Sequence, residues 1–203
     1  MIDKKIQIFI YLRRLNQKKM ALTPSNMLPL DTEAPHFELW DSVSNSTKTL
    51  NNLKGAKGTI VMFICNHCPF VIHINTALVS LANSLQNKGI STIAISSNNA
   101  ESYPQDGPEQ MRIHAANQNY SFPYLYDETQ AVAKAYDATC TPDFFLFDAN
   151  LKLVYRGQLD DSRPGNGIPV DGDDVMHASQ CLLENIENTR PQKPSIGCSI
   201  KWK

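Results

Sequence analysis

Apolar positions along this chain switch between a period of two, continuous runs and a helical period. Residues 37–40 form a short apolar strand candidate, and polar turn residues follow over 41–49. Residues 59–64 (TIVMFI) are a continuous β-branched and aromatic run, the pattern of a strand covered on both faces. Over 69–87, Ile72, Leu78, Leu81 and Leu85 fall near helical spacing, and Gly89 is the stop signal. Residues 90–96 (ISTIAIS) predict another buried strand. Asp106-Gly107-Pro108 opens a helix, with proline at a permitted first-turn position. Asp127-x-x-Gln130 has the form of a capping box before a helix that ends near Tyr136. Residues 144–147 and 151–155 flank Asp148-Ala149-Asn150 and predict a hairpin. Residues 172–188 predict a last helix with Val175, Ala178, Leu182 and Ile186 on one face. Pro191, Pro194 and Gly197 mark an irregular tail. Strands alternating with helices predict an α/β layer structure with a partly parallel sheet and an antiparallel edge.

Composition narrows the function classes. A chain of 203 residues buries one ordinary core and is too short for two full domains. With 42% apolar and 19% charged residues it is expected to fold rather than stay disordered. A net charge of −1 supplies no bulk basicity for a nucleic-acid partner. No run of eighteen apolar residues occurs, so no stable membrane insertion is expected. The charge is nonetheless uneven: residues 1–20 carry six basic side chains against Asp3 alone, a net +5. The largely apolar stretch 6–12 lacks the length and cleavage site of a secretory signal. A basic amphipathic surface segment and a plain terminal extension are the two readings of this region. Residues 1–27 are therefore set apart as a flexible extension, with Met20 or Met27 as a candidate start. Residues 28–190 form the expected domain, and 191–203 a tail packed on or near it. The missing export signal favours a cytoplasmic setting, where disulfides are transient and catalytic.

Five cysteines are too sparse for a disulfide scaffold, and the odd number points to cysteine chemistry. Cys65-Asn66-His67-Cys68 lies directly after a predicted buried strand and directly before a predicted helix. The thiolate is the reactive species, and a helix N-terminus offers unpaired N–H groups and partial positive charge. The pKa of Cys65 is expected to fall there. Cys68 is close enough to close a disulfide, and a charged His67 would favour the thiolate further. Stabilising the reduced form makes the couple more oxidising. Two other readings exist: a pair of small buried hydrophobes, or half of a metal site. A zinc site would be completed by a second C-x-x-C, which is absent, or by H-x₃₋₅-H, and the His67 and His73 that follow closely overlap the dithiol rather than forming a separate ligand pair. Cys181, beside Leu182-Leu183, reads as packing. Cys198, beside Gly197 in the tail, reads as either a resolving thiol or a merely exposed one. His36, His73, His114 and His177 have no motif partner.

These residues carry a family resemblance. The dithiol after TIVMFI is joined by AYDATCTP at 135–142, then by 144–148, 155–164 and PSIGCSIKW at 194–202. Together they resemble the thioredoxin superfamily, and within it the peroxiredoxin-like branch of the alkyl hydroperoxide reductase/thiol-specific antioxidant family. The resemblance spans roughly residues 28–203. It implies a thioredoxin-like fold: a central mixed β-sheet flanked by helices, with an N-terminal β extension. It also implies that Thr141-Pro142 is a cis-proline loop lying against the dithiol, whose backbone binds an extended substrate segment. Cys140 would then lie near the dithiol, as a resolving thiol or as a buried inert one. The departures are specific. Where peroxiredoxins carry P-x-x-x-T-x-x-C, this chain has Val61, Cys65 and Cys68, so the peroxide-binding hydroxyl is missing. Arg163 is the candidate for their arginine. Where thioredoxins carry a buried Asp before the first cysteine, this chain has Thr59.

The leading expectation is a thiol–disulfide oxidoreductase with Cys65 as nucleophile and Cys68 as resolving thiol. A peroxiredoxin-like thiol peroxidase is the alternative. A non-catalytic metal- or peptide-binding protein on the same fold is the third reading. The first two use no metal or organic cofactor. Their partners are a disulfide-containing protein or a small thiol or peroxide, plus an external thiol reductant. The oligomeric state is left open.

Overall fold

The computed structural model describes residues 22–203, so the basic segment 1–20 lies outside the described residues. The chain builds a seven-stranded mixed sheet and a smaller three-stranded one. In chain order the strands are β1 (Leu22–Pro24), β2 (Glu38–Asp41), β3 (Ser46–Thr49), β4 (Gly58–Phe63), β5 (Ile90–Ser96), β6 (Tyr124–Tyr126), β7 (Cys140–Thr141), β8 (Asp143–Asp148), β9 (Leu153–Gly157) and β10 (Ile196–Ser199). The helices are α1 (Leu50–Leu53), α2 (Pro69–Gln86), α3 (Pro108–Gln118), α4 (Ala131–Ala135) and α5 (Asp173–Glu184).

The large sheet runs β3-β2-β6-β5-β4-β8-β9. Its centre is parallel, β4 to β5 and β5 to β6, and the remaining pairs are antiparallel. β4 is buried at every position because both faces are covered. Ile60 and Met62 pack with Val71, Ile74, Leu78 and Leu85 of α2, Met111 of α3 and Val175 and Ala178 of α5. Val61 and Phe63 pack on the opposite face with Leu50 of α1, Val132 of α4, and Tyr136, Phe145 and Phe147. Helices thus flank both faces, and the α/β thioredoxin-like architecture implied by the resemblance is the one present. No helix among the described residues is long and apolar enough to cross a membrane.

Several local expectations are corrected. Ile72 is 55% exposed, and Val71 and Ile74 hold the buried stripe of α2 instead. The predicted helix 172–188 stops at Glu184, because Asn185 adopts a left-handed conformation and closes it. Ile186 therefore leaves the helix and is exposed. The capping box at Asp127 and Gln130 does not form. Asp127 accepts from the backbone N–H groups of Val132 (3.3 Å) and Ala133 (2.9 Å), while the Gln130 amide donates to the carbonyls of Ser97 and Lys201. The tail is irregular only in part: within it β10 pairs antiparallel with β1 on one edge and β7 on the other. Residues 22–24, set apart in the sequence reading, thereby join the folded body.

Gly197 explains how closely β10 approaches. A Cβ there would lie 2.0 Å from the Thr141 carbonyl oxygen, so any side chain would push the strands apart. The Thr141-Pro142 bond is cis, as the resemblance implied.

Candidate active site

The predicted site residues gather near the ends of β4 and β7 and the start of α2, with Arg163 at the margin, where it lines a small cavity with Phe70 and Pro142. β4 delivers the chain to Cys65, and Ile64 remains tied to β5 through its N–H to the Ile95 carbonyl (3.0 Å). Cys68 is the N-cap residue of α2, and its carbonyl accepts from the Ile72 N–H (2.9 Å). Pro69 follows at the first helical position, where no amide hydrogen is required. The helix terminus therefore falls on Cys68, three residues beyond the cysteine expected to occupy it.

The turn between the cysteines is held by Asp106, which is fully buried. Its carboxylate accepts from the Asn66 backbone N–H (2.9 Å) and the Asn98 side-chain amide (2.9 Å). It also makes an ion-pair contact of 2.6 Å with His67 Nδ1, without the alignment of a hydrogen bond. Asn66 is anchored a second time, donating to the Gln105 carbonyl (2.7 Å) and accepting from the Tyr124 hydroxyl (3.1 Å). His67 stacks on Tyr103 with ring centroids 5.6 Å apart, and Lys201 lies 5.9 Å from the Tyr103 ring centroid. The sequence reading saw Asp106 only as part of a helix-opening turn. Nothing local marks it as a carboxylate beneath the dithiol, because its partners come from positions 66, 67 and 98.

The sulfurs lie against Thr141. Cys65 Sγ is 3.5 Å from the Thr141 hydroxyl, and Cys68 Sγ is 3.1 Å from the Thr141 carbonyl oxygen. Cys198 reaches in from β10, with its Sγ 2.8 Å from that of Cys68. No disulfide joins these cysteines, and all are buried. Cys68 has one proton and two acceptors in reach. When ionised it instead accepts from its thiol neighbours.

The electrostatics reverse the expected order of the dithiol. The Cys198 thiol, followed by that of Cys65, donates to Cys68 and pulls its pKa well down despite burial. Cys65 is raised: its hydrogen bond to Cys68 disfavours its own ionisation, burial adds to that, and Asp106 repels negative charge there. Cys198 is raised by the same bond to Cys68 and by burial, with Lys201 working in the opposite direction. The first negative charge of the cluster therefore belongs to Cys68, next to the N-terminus of an 18-residue helix.

The other candidates separate. Cys140 is fully buried, and burial pushes its thiol up; its sulfur contacts the Pro142 carbonyl oxygen at 3.8 Å, so it reads as the inert alternative. Cys181 packs in α5, 3.5 Å from His177 Nε2. Arg163 is spent within its own loop, donating to the carbonyls of Asp160 (2.7 Å) and Ser162 (2.6 Å) and to the Gln158 side chain. The backbone of Thr141 is already paired with β10, in the role the resemblance assigns to a substrate segment. The ligand atoms of Cys65, His67 and Asp106 lie within 4.8 Å of one another. The 2.6 Å His67–Asp106 contact is shorter than the separation of about 3.3 Å between two ligands on one tetrahedral zinc. Both Asp106 oxygens are also engaged by donors, so this trio does not fit a metal without rearranging.

Residues 30–156, more than half of the chain, match the AhpC/TSA family. The structure is similar to that of an uncharacterized conserved protein from Geobacillus kaustophilus. The identity is 56%, with 91% of this chain and 97% of that one covered at a TM-score of 0.89. A hypothetical protein from Sinorhizobium meliloti 1021 is 44% identical, with coverage of 89% and 98% and a TM-score of 0.87. Peroxidoxin BcpB from Mycobacterium tuberculosis shares the fold at 16% identity, covering 80% of this chain and 100% of its own, with a TM-score of 0.58. No curated protein matches the chain.

Proposed function

The chain belongs to the AhpC/TSA family of thiol-based redox proteins, and from that premise we propose that it is a thiol–disulfide oxidoreductase working through Cys65 and Cys68. The observation that carries this reading is the placement of two buried thiols at the start of α2, both against Thr141. In the oxidising direction, a substrate thiolate attacks Cys65 of the disulfide form. Cys68 then leaves as a thiolate, and a leaving thiol of low pKa leaves faster. A second substrate thiolate attacks the mixed disulfide at the substrate sulfur, releasing the substrate disulfide and Cys65. In the reducing direction the steps reverse: Cys65 passes its proton to the Cys68 thiolate and attacks, and Cys68 then gives up that proton to resolve the mixed disulfide. The low pKa of Cys68 stabilises the reduced state and makes the pair oxidising relative to an unperturbed dithiol.

Pairing of Thr141 with β10 favours a small thiol or disulfide over an extended polypeptide as partner. The test is turnover of a low-molecular-weight disulfide with a thiol reductant. Cys65→Ser is expected to lose at least about 100-fold, and unchanged turnover overturns the dithiol mechanism. A second reading, a thiol peroxidase, draws on one observation: Cys68-Pro69 places a stabilised thiolate at a helix start. It is tested by stopped-flow oxidation with hydrogen peroxide, where a rate no faster than that of a free thiol eliminates it.

A further inference from the structure

We propose that Cys198 is a third redox thiol of this site, carried on a strand of the protein itself, and that it exchanges with Cys65 for the disulfide to Cys68. The inference rests on the dithiol reading and adds a residue which that reading leaves unused.

The geometry is built rather than incidental. Cys198 Sγ lies 2.8 Å from Cys68 Sγ, and the residue is only 2% exposed. Its backbone is held on both edges of β10, opposite Leu22 on one side and Thr141 on the other. Gly197 lets the strand approach Thr141 more closely than any side chain would permit. Flanking bonds extend the clamp, from the Ser25 N–H to the Ser195 carbonyl (2.8 Å) and from the Ile200 N–H to the Thr139 carbonyl (2.9 Å). A mobile tail thiol would have none of this.

β10 therefore occupies the position of a substrate strand and presents its own sulfur to the dithiol. A thiol fixed at contact distance reacts intramolecularly, with an effective concentration far above that of a free thiol. The step begins from the Cys65–Cys68 disulfide. Cys198 loses its proton against the cost of burial, which the Lys201 charge offsets in part, and its thiolate attacks Cys68 Sγ. The Cys68–Cys198 bond forms as the Cys65–Cys68 bond breaks. Cys65 leaves as a thiolate and takes up the proton. Two oxidising equivalents move within the protein, and no further oxidant is consumed. The reverse exchange restores the first disulfide.

Disulfide mapping tests this on the full chain. The reduced wild-type protein is treated with one equivalent of diamide, quenched in acid, alkylated and mapped by peptide fragmentation. Both Cys65–Cys68 and Cys68–Cys198 linkages are expected. In Cys65→Ser, Cys68–Cys198 becomes the dominant linkage, and alkylation of Cys198 falls at least fivefold on oxidation. A wild-type protein that forms only Cys65–Cys68, with Cys198 fully alkylated, overturns the proposal and leaves the dithiol reading standing. Cys68–Cys198 without any Cys65–Cys68 overturns the exchange and the dithiol reading together, and so does the absence of both linkages. The wild-type map decides the matter even where the variant misfolds.

Discussion

On one face of the large sheet, aromatic rings meet edge to face; on the other, the same strands run into a cluster of thiols. Phe63 lies 5.5 Å from Tyr136 and 6.0 Å from Phe145, and Tyr136 lies 5.9 Å from Phe147. The opposite layer takes Met62, Ile64, Phe144 and Leu146 from β4, its continuation and β8, and it includes Cys65, Cys68 and Cys198. Alternation along each strand divides the two layers, because successive side chains point to opposite faces. The aromatic layer supplies rigid packing, while the thiol layer ends where a helix begins and a buried carboxylate holds the turn. The two layers share the strands but not their side chains.

The comparison breaks most visibly at Phe147. Phe147→Ala is expected to destabilise by about 3–5 kcal/mol, as loss of a buried ring leaves a cavity. Urea denaturation measures this, and alkylation rates of Cys68 in the folded protein should stay unchanged. Slowed alkylation would mean that the layers are not separable. Next comes Cys68→Ser, expected to cost at least about 100-fold in disulfide turnover, equivalent to ~2.7 kcal/mol of barrier. Its thermal midpoint should move far less than that of Phe147→Ala.

Asp106→Asn sharpens the contrast at the turn. It retains an acceptor for Asn66 but loses the charge opposite His67, and the expected cost is about 1–3 kcal/mol by denaturation. Removing that charge also lowers the pKa of Cys65, so its alkylation profile shifts to lower pH.

The last effect is a slope rather than a step. Asp143, fully buried on β8, is raised well above its ordinary value of 3.8, chiefly by burial. The folded protein keeps this proton while the unfolded chain releases it. Stability should therefore fall as pH rises from about 4 toward the folded pKa, by at most about 1.4 kcal/mol per pH unit. Asp143→Asn removes that contribution, as denaturation at pH 5 and pH 7 would read out. An unchanged slope contradicts a neutral Asp143.

Much of the fold was legible in local pattern. The short, β-branched runs at 59–64 and 90–96 are strands buried at nearly every position, because both faces of the sheet are covered there. The hairpin around Asp148 follows from two short apolar runs and a polar turn. β6, with three residues, and β7, with two, were missed because strands so short carry no period to detect. β10 was missed for another reason: Pro194 and Gly197 signal irregularity locally, yet Gly197 is what permits close pairing with Thr141.

The site divides in the same way. Cys65-Asn66-His67-Cys68 between a buried strand and a helix already pointed to a dithiol at a helix start, and it carried the family resemblance only together with the segments at 135–148, 155–164 and 194–202. The sequence alone could not order the two thiols. That order depends on where α2 begins, and Cys68 proves to be its N-cap residue. It also depends on which groups surround each sulfur: Asp106 repels charge from Cys65, and Cys198 donates to Cys68. Those neighbours lie about 40 and 130 positions away along the chain. A pKa answers to distance in space, and only tertiary structure sets that distance.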